Sequence, residues 1–265
     1  MDYKMIAIDL DDTLLGADHQ ISLNTKQVIR KAQEKGIKIV IATGRMHASA
    51  FPYAQQLGIT GPIITYNGAM IKEVESEKII EHKPVDLELT KKIAHYVEEH
   101  NLHLNLYMDD ILYVNQPGAA MEYYEDLAGV KAVVINEALT EFIDQASTKL
   151  IIIDDEEEIP DILAELKDRF ADQLHITTSK SVFIEIMNQE VNKGQAVADL
   201  AEQYGFGPQE IIAIGDSYND CEMLEYAGLG VAVDNAWSKV KESADHVTKR
   251  HDEEGVAEVI EEFIL

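Results

Sequence analysis

Four short segments carry residues whose types and spacing suit chemistry on an anion. Asp9-Leu10-Asp11-Asp12-Thr13 sets two acids two residues apart, directly after an apolar run. Thr43-Gly44-Arg45 follows a second apolar run, Lys193-Gly194 opens a helix-like stretch, and Gly215-Asp216-Ser217-Tyr218-Asn219-Asp220 follows a third run. Each alone is weak: an Asp-x-Asp also serves as a turn or a helix cap, and Thr-Gly is a common turn. Their order and complementarity are more telling. If Asp9, Asp11, Asp216 and Asp220 converge, two carboxylates about 4 Å apart repel by up to about 4 kcal/mol at an effective dielectric near 20. Such a cluster needs a cation, and oxygen-only ligands point to a hard one, Mg²⁺. Lys193 supplies a second positive charge that orients Asp9 and holds phosphate oxygens. Thr43 and the amides of Leu10 and Gly44 are further donors to a phosphoryl group.

The surrounding patterns are those of an α/β fold. Met5-Ile6-Ala7-Ile8 and Ile37-Lys38-Ile39-Val40-Ile41-Ala42 read as strands, with a helix over 22–35 between them, capped by Ser22 or Asn24 and stopped at Gly36. Another helix covers about 46–57. Asn67-Gly68, between Ile63 to Tyr66 and Met70-Ile71, signals a tight hairpin. Lys193 to Tyr204 reads as a helix, Ile211 to Ile214 as a buried strand and Val231-Ala232-Val233 as a last short strand. Three of the four chemical segments thus lie at carboxyl ends of strands, where doubly wound sheets place function.

The pattern changes between about 84 and 190. A helix over 87–100 precedes strand-like 102–107 and 111–114, joined through Asp109-Asp110. Lys149 to Ile153 is a strand, the acidic Asp154 to Glu158 a solvated loop and helix start, 161–170 a helix, and Ile176 to Ile186 strand-like. The simplest organisation is a doubly wound parallel-sheet (Rossmann-like) core, 1–83 plus 191–265, with an α+β domain inserted at 84–190.

Composition narrows the partners. Lys and Arg number 22 against 49 Asp and Glu, a net charge of −27, which argues against nucleic acid and anionic lipid. Cys221 is the one cysteine, so no intrachain disulfide forms, and it reads as a small buried hydrophobe. No apolar run reaches the ~18 residues of a membrane span and no signal peptide pattern opens the chain, so a cytoplasmic location is expected. His47 reads as a helix-surface residue, Trp237 as packing, and Tyr107, Tyr113, Tyr123 and Tyr124 as core of the middle domain.

The four segments resemble, in order and spacing, the motifs of the haloacid dehalogenase superfamily, specifically its Cof-type phosphatases. "DLDDTLL" at 9–15 is similar to the nucleophile motif, "ATGR" at 42–45 to the phosphate-binding motif, "NKG" at 192–194 to the Lys motif, and "GDSYND" at 215–220 to the metal motif. "HDEEGVA" at 251–257 resembles a further Cof-type signature, and the middle domain matches a type-II cap in position and length. The resemblance implies a Mg²⁺-dependent phosphatase acting on small phosphorylated metabolites, sugar phosphates being common, through an aspartyl-phosphate. It implies Asp9 as nucleophile and Asp11 as general acid/base, with Mg²⁺ held by Asp9, the Asp11 backbone carbonyl and Asp216. Asn219 would help to bind phosphate, Asp220 would support Lys193 or the metal's waters, and Arg45 would reach substrate or form an ion pair. Asp12 departs from the Gly of many relatives, and Asn192 from their Ser. A phosphosugar mutase shares this core and cap, and a glycosyltransferase also uses Asp-x-Asp, though usually after several strands. A non-catalytic phosphate-binding module would need no nucleophile. Oligomeric state is left open.

Overall fold

A computed structural model describes residues 2–265 and divides the chain into two compact units. The first comprises the segments up to Arg45, Ala50–Glu81 and Asn192–Leu265; the second comprises Met46–Ser49 and His82–Val191. Along the chain come β1 (Met5–Ile8), α1 (Leu23–Glu34), β2 (Lys38–Ile41), α2 (His47–Gln56), β3 (Pro62–Thr65), β4 (Met70–Glu73) and β5 (Ile79–His82). The middle carries α3 (Leu87–His100), β6 (His103–Met108), β7 (Ile111–Val114), α4 (Ala119–Ala128), β8 (Val133–Val134), α5 (Leu139–Phe142), β9 (Lys149–Ile153), α6 (Ile159–Phe170), β10 (Leu174–Thr177) and β11 (Phe183–Asn188). The chain closes with α7 (Lys193–Tyr204), β12 (Ile211–Gly215), α8 (Cys221–Tyr226), β13 (Leu229–Val233), α9 (Ser238–Ser243), β14 (His246–Thr248) and α10 (Gly255–Phe263).

In the first unit, five strands form an all-parallel sheet in the order β14-β13-β12-β1-β2. The central strands are apolar along their whole length because both faces are covered, and every residue of β1 and β12 is buried. Ser22 caps α1 by accepting from the Thr25 amide at 3.0 Å. β3 and β4 form an antiparallel ribbon that continues to β5 and meets β2 through one parallel bridge, Ala42 to Ile64. Asn67-Gly68 does turn this ribbon, but not as a two-residue hairpin. Thr65 pairs with Met70, so four residues connect the strands, with Tyr66 and Asn67 left-handed at φ 53° and 58°. The Arg45 and Thr43 carbonyls accept from the amides of Tyr66 and Asn67, at 2.9 and 3.0 Å, and open the turn.

The second unit is a six-stranded sheet, order β10-β11-β9-β6-β7-β8, antiparallel except between β7 and β8. Asp109 and Asp110, at φ 52° and 60°, form its two-residue hairpin between paired Met108 and Ile111. Leu89, Ile93 and Val97 of α3 and Leu166 of α6 share one apolar core with Leu104, Leu106, Leu150, Ile152 and Ile184 of the sheet. Alternate sheet residues carry buried polar groups instead, including the Lys149–Glu185 ion pair at 2.7 Å.

Three sequence expectations change here. The strand-like 176–186 is two antiparallel strands, split by a turn at the small and polar Ser179-Lys180-Ser181. β13 is not the last strand: β14 follows at the sheet edge, where Val247 stays 42% exposed and hides the apolar alternation. α4 was not anticipated; it contributes no fully buried residue, although Tyr123 and Tyr124 pack against Phe183. Among the described residues, no helix is long and apolar enough to cross a membrane.

Candidate active site

Sheet register explains why the chemical segments meet. Ile8 of β1 sits beside Ile41 of β2 on one side and Ile214 of β12 on the other, all running parallel. The next residues therefore leave the sheet at one edge: Asp9 from β1, Thr43 from β2, and Asp216 from β12. The Asp9 amide donates to the Ile214 carbonyl at 3.0 Å, which ties two of these exits together.

The loop after β1, Leu10–Leu14, is a wide turn closed by the Leu15 amide donating to the Leu10 carbonyl at 2.9 Å, with Asp11 and Asp12 outside helical geometry. Leu10, Leu14 and Leu15 are buried and pin the loop to the core. Asp12 is left-handed at φ 56°, the conformation that favours the Gly of many relatives. An Asp tolerates it at a cost of about 1 kcal/mol. The Asp12 carbonyl is gripped by Asn235 Nδ2 at 2.7 Å, and the Leu15 carbonyl lies 2.7 Å from His251 Nδ1. Asn235 Oδ1 in turn accepts from the His251 amide at 2.9 Å. The "HDEEGVA" segment thus braces the loop that carries Asp9.

Lys193 is the centre of the charge arrangement. It is 1% exposed, and its Nζ donates to Asp9 Oδ1 at 2.6 Å and to Asp220 Oδ1 at 2.7 Å. Asn192 caps its helix by accepting from Gln195 at 2.6 Å, as the Ser of many relatives would. Two glycines allow the helix to reach this depth. A Cβ on Gly194 would lie 2.6 Å from the Glu222 backbone, and one on Gly68, at φ 102°, would lie 2.4 Å from the Asn192 carbonyl oxygen. Asp220 Oδ2 also accepts from the amides of Asp216 and Ser217, both at 3.0 Å, so this carboxylate is fully committed. Asp216 accepts from Thr13 Oγ1 at 3.2 Å and Ser217 Oγ at 3.0 Å.

Carboxylate oxygens of Asp9, Asp216 and Asp220 come within 4.8 Å of one another, all three buried, with one ammonium among them. Burial, reinforced by Asp220 and Asp216 and opposed by Lys193, holds the Asp9 carboxyl well above the usual range. Burial and the Asp220 charge push Asp216 up to about 6. Burial alone would lower the Lys193 ammonium, but Asp220 and Asp9 outweigh it and keep it raised, hence protonated. The surplus negative charge and oxygen-only donors suit a hard divalent cation.

Thr43 is buried beside these groups, with its Oγ1 accepting from the Arg45 amide at 3.2 Å. Arg45 grips Asp11 bidentately, Nε to Oδ2 at 2.8 Å and Nη2 to Oδ1 at 2.6 Å. In this conformation the ion-pair alternative for Arg45 is the one formed. Asn219 Nδ2 donates to Asn67 Oδ1 at 2.9 Å, and the same oxygen would be 2.9 Å from a Cβ on Gly44. Asn67, Thr13, Asn235 and His251 brace the site; the sequence reads Asn67 as a site-lining residue only in second place, holds Thr13 and His251 within motifs without giving them a role, and does not single out Asn235. Asn67 was read first as a turn residue, and the other three make contacts only between distant segments.

Several other expectations fail. His47, the first residue of α2, is 4% exposed rather than on a helix surface. Trp237 is 60% exposed and stacks along Tyr218, so its size did not draw it into the core. Tyr123 is 46% exposed, whereas Tyr107 is buried and donates to the Tyr124 hydroxyl at 2.5 Å. Cys221 is only partly buried, with burial pushing its thiol up.

Residues 6–260 match the model of the haloacid dehalogenase-like hydrolases. The chain belongs to this family. It is a Cof-type phosphatase, with the parallel-sheet core and additional antiparallel cap domain of that fold. A Bacillus subtilis relative, the 5-amino-6-(5-phospho-D-ribitylamino)uracil phosphatase YitU, is 32% identical over 98% of this chain and 97% of its own. The crystal structure of TM0651 from Thermotoga maritima superposes with a TM-score of 0.92 at 33% identity, covering 99% of this chain and 98% of that one. BT4131, described as a subclass IIB sugar phosphatase, gives a TM-score of 0.82 at 25% identity over 98% of both chains.

Proposed function

We propose that the protein hydrolyses phosphate monoesters of small polyhydroxy metabolites, sugar phosphates among them, with Mg²⁺ and through an aspartyl-phosphate on Asp9. The observation that carries this reading is the buried trio of carboxylates around one ammonium. A purely structural cluster of this kind would be costly to keep. Mg²⁺ held by Asp9, the Asp11 carbonyl and Asp216 would neutralise charge on the phosphoryl oxygens and on Asp9 as they approach.

The chain's own residues account for the rest. Lys193 holds Asp9 Oδ1, leaving the other oxygen to attack phosphorus. The alkoxide leaves with a proton from Asp11, which later takes a proton from the attacking water. Asp11 is half-exposed and reaches the solvent side of the loop, held meanwhile by Arg45. The Thr43 hydroxyl, the Leu10 and Gly44 amides, and Asn219 donate to the phosphoryl oxygens. Asp220 fixes Lys193 and the 216–217 amides. In this reading 1–83 plus 191–265 is the catalytic core and 84–190 is a cap that chooses the leaving group.

The substrate class is supported by two relatives, one named for a ribityl phosphate and one described as a sugar phosphatase. Both names describe a phosphate on a hydroxylated carbon chain. The test is phosphate release from a panel of sugar, polyol and nucleoside phosphates, with Mg²⁺ and with a chelator. Mg²⁺-dependent release from hydroxylated substrates is expected. No release from any member, or equal release under chelation, would overturn the reading.

A further inference from the structure

The turn between β3 and β4 reaches three of the four chemical segments, all within the first unit. The amides of Tyr66 and Asn67 donate to the Arg45 and Thr43 carbonyls at 2.9 and 3.0 Å. A Cβ on Gly68 would lie 2.4 Å from the carbonyl oxygen of Asn192, the residue that caps the helix opening at Lys193. Asn67 Oδ1 accepts from Asn219 Nδ2 at 2.9 Å, in the loop that also carries Asp216 and Asp220. Gly44 leaves room for that oxygen, since a Cβ there would come within 2.9 Å of it.

The two asparagines differ in their freedom. Asn67 is 7% exposed, and its backbone is left-handed at φ 58°. Asn219 is exposed, so its amide left to itself would spread over several rotamers. A carboxamide nitrogen carries two N–H donors. Asn67 takes one, which fixes the amide plane and leaves the other for a ligand.

We infer that Asn67 is a positioning residue, orienting Asn219 so that the second N–H of its Nδ2 meets a phosphoryl oxygen. The inference rests on the reading that Asn219 binds the phosphate of the ester. Three demands fix the residue type at this position. The left-handed turn admits Gly, Asn or Asp at low cost. The contact with Asn219 needs an acceptor, which excludes Gly. The surplus of carboxylates around Asp9, Asp216 and Asp220 disfavours another, which excludes Asp. Asn alone meets all three. Holding the amide in place beforehand removes an ordering cost from phosphate binding, so the effect belongs to affinity and not to the chemical step.

A double-substitution cycle on the full chain tests this, with inorganic phosphate titrated calorimetrically at saturating Mg²⁺. Asn67→Gly keeps the turn, deletes the acceptor and should weaken phosphate binding about five-fold. Asn219→Ala should weaken it about twenty-fold. The double variant should bind no worse than Asn219→Ala, because Asn67 then has nothing to orient. With the best substrate of the panel, Asn67→Gly should raise KM about five-fold and leave kcat within about two-fold. A further loss of about three-fold or more from Asn67→Gly in the Asn219→Ala background overturns the inference, since a merely loosened turn would act in both backgrounds. Unchanged phosphate affinity in Asn67→Gly, or a fall in kcat with KM unmoved, overturns it as well. If the unsubstituted protein neither binds phosphate nor releases it from any ester, the phosphatase reading fails first and the inference falls with it.

Discussion

Replacing Lys193 with Met removes the one ammonium from a buried set of carboxylates while keeping most of the side chain's volume. Lys193 Nζ lies 2.6 Å from Asp9 and 2.7 Å from Asp220, with the side chain 1% exposed. At an effective dielectric near 20, each contact of about 3 Å is worth roughly 5 kcal/mol before desolvation. Desolvation of three ions offsets much of that, and removing one partner of a buried pair typically costs about 3–5 kcal/mol. With chelator at pH 7.5, Lys193→Met should therefore lose about 4 kcal/mol of stability. The loss should shrink by pH 5, because Asp9 and Asp216 are both already displaced toward protonation and take up protons that relieve the repulsion. Urea unfolding followed by tryptophan emission reads this directly, since Trp237 belongs to the unit that contains Lys193. A loss below about 1 kcal/mol, or one of equal size at both pH values, would refute the reasoning.

Asp9→Asn should abolish turnover with an unchanged circular dichroism spectrum, because an amide cannot form the acyl-phosphate; activity near that of the unsubstituted protein would remove Asp9 as nucleophile. In chelator, stability should fall as pH rises from about 4 to about 6, since folded Asp216 still holds a proton that the unfolded carboxyl has released. Its share is about 3 kcal/mol and is complete above that window, and saturating Mg²⁺ should reverse the trend in thermal melts at pH 7.5. Asp11→Asn should slow sugar phosphates severely and aryl phosphates mildly, with a burst of phenolate and phosphate retained on Asp9 by mass spectrometry. Equal slowing without a burst would exclude Asp11 as general acid/base.

Much of the core was legible because local signals agreed with tertiary demands. The apolar runs of β1 and β12 read as buried parallel strands, and parallel register alone brings the residues that follow them to one edge. Ser22 and Asn192 both cap helices with the residue types expected for it. What stayed hidden are contacts spanning the chain. Nothing near His251 shows that it meets Leu15, 236 positions earlier, or that Asn235 holds Asp12. Burial of single residues was equally opaque. His47 is covered because of where α2 begins, and Trp237 stays wet because it is held at a loop by its backbone.

The charge of −27 makes the layout of the site intelligible. A surface lysine would be a weak attractor for phosphate in such a field, because solvent and salt screen it. Lys193 is instead buried and already satisfied by Asp9 and Asp220, and Arg45 is engaged by Asp11. With Asp216 added to these three carboxylates, the acids outnumber the cations: fully ionised, Asp9, Asp11, Asp216 and Asp220 exceed Lys193 and Arg45 by two negative charges. One divalent cation cancels that excess. In the proposed function, attraction for a phosphate dianion would come from the cation together with uncharged donors, the Thr43 hydroxyl and the Leu10 and Gly44 amides, which work without adding to a surface potential. In the proposed reading, substrate affinity would be coupled to metal occupancy: without a cation the cluster would repel a phosphate, and with one the same carboxylates would become the scaffold that places Asp9.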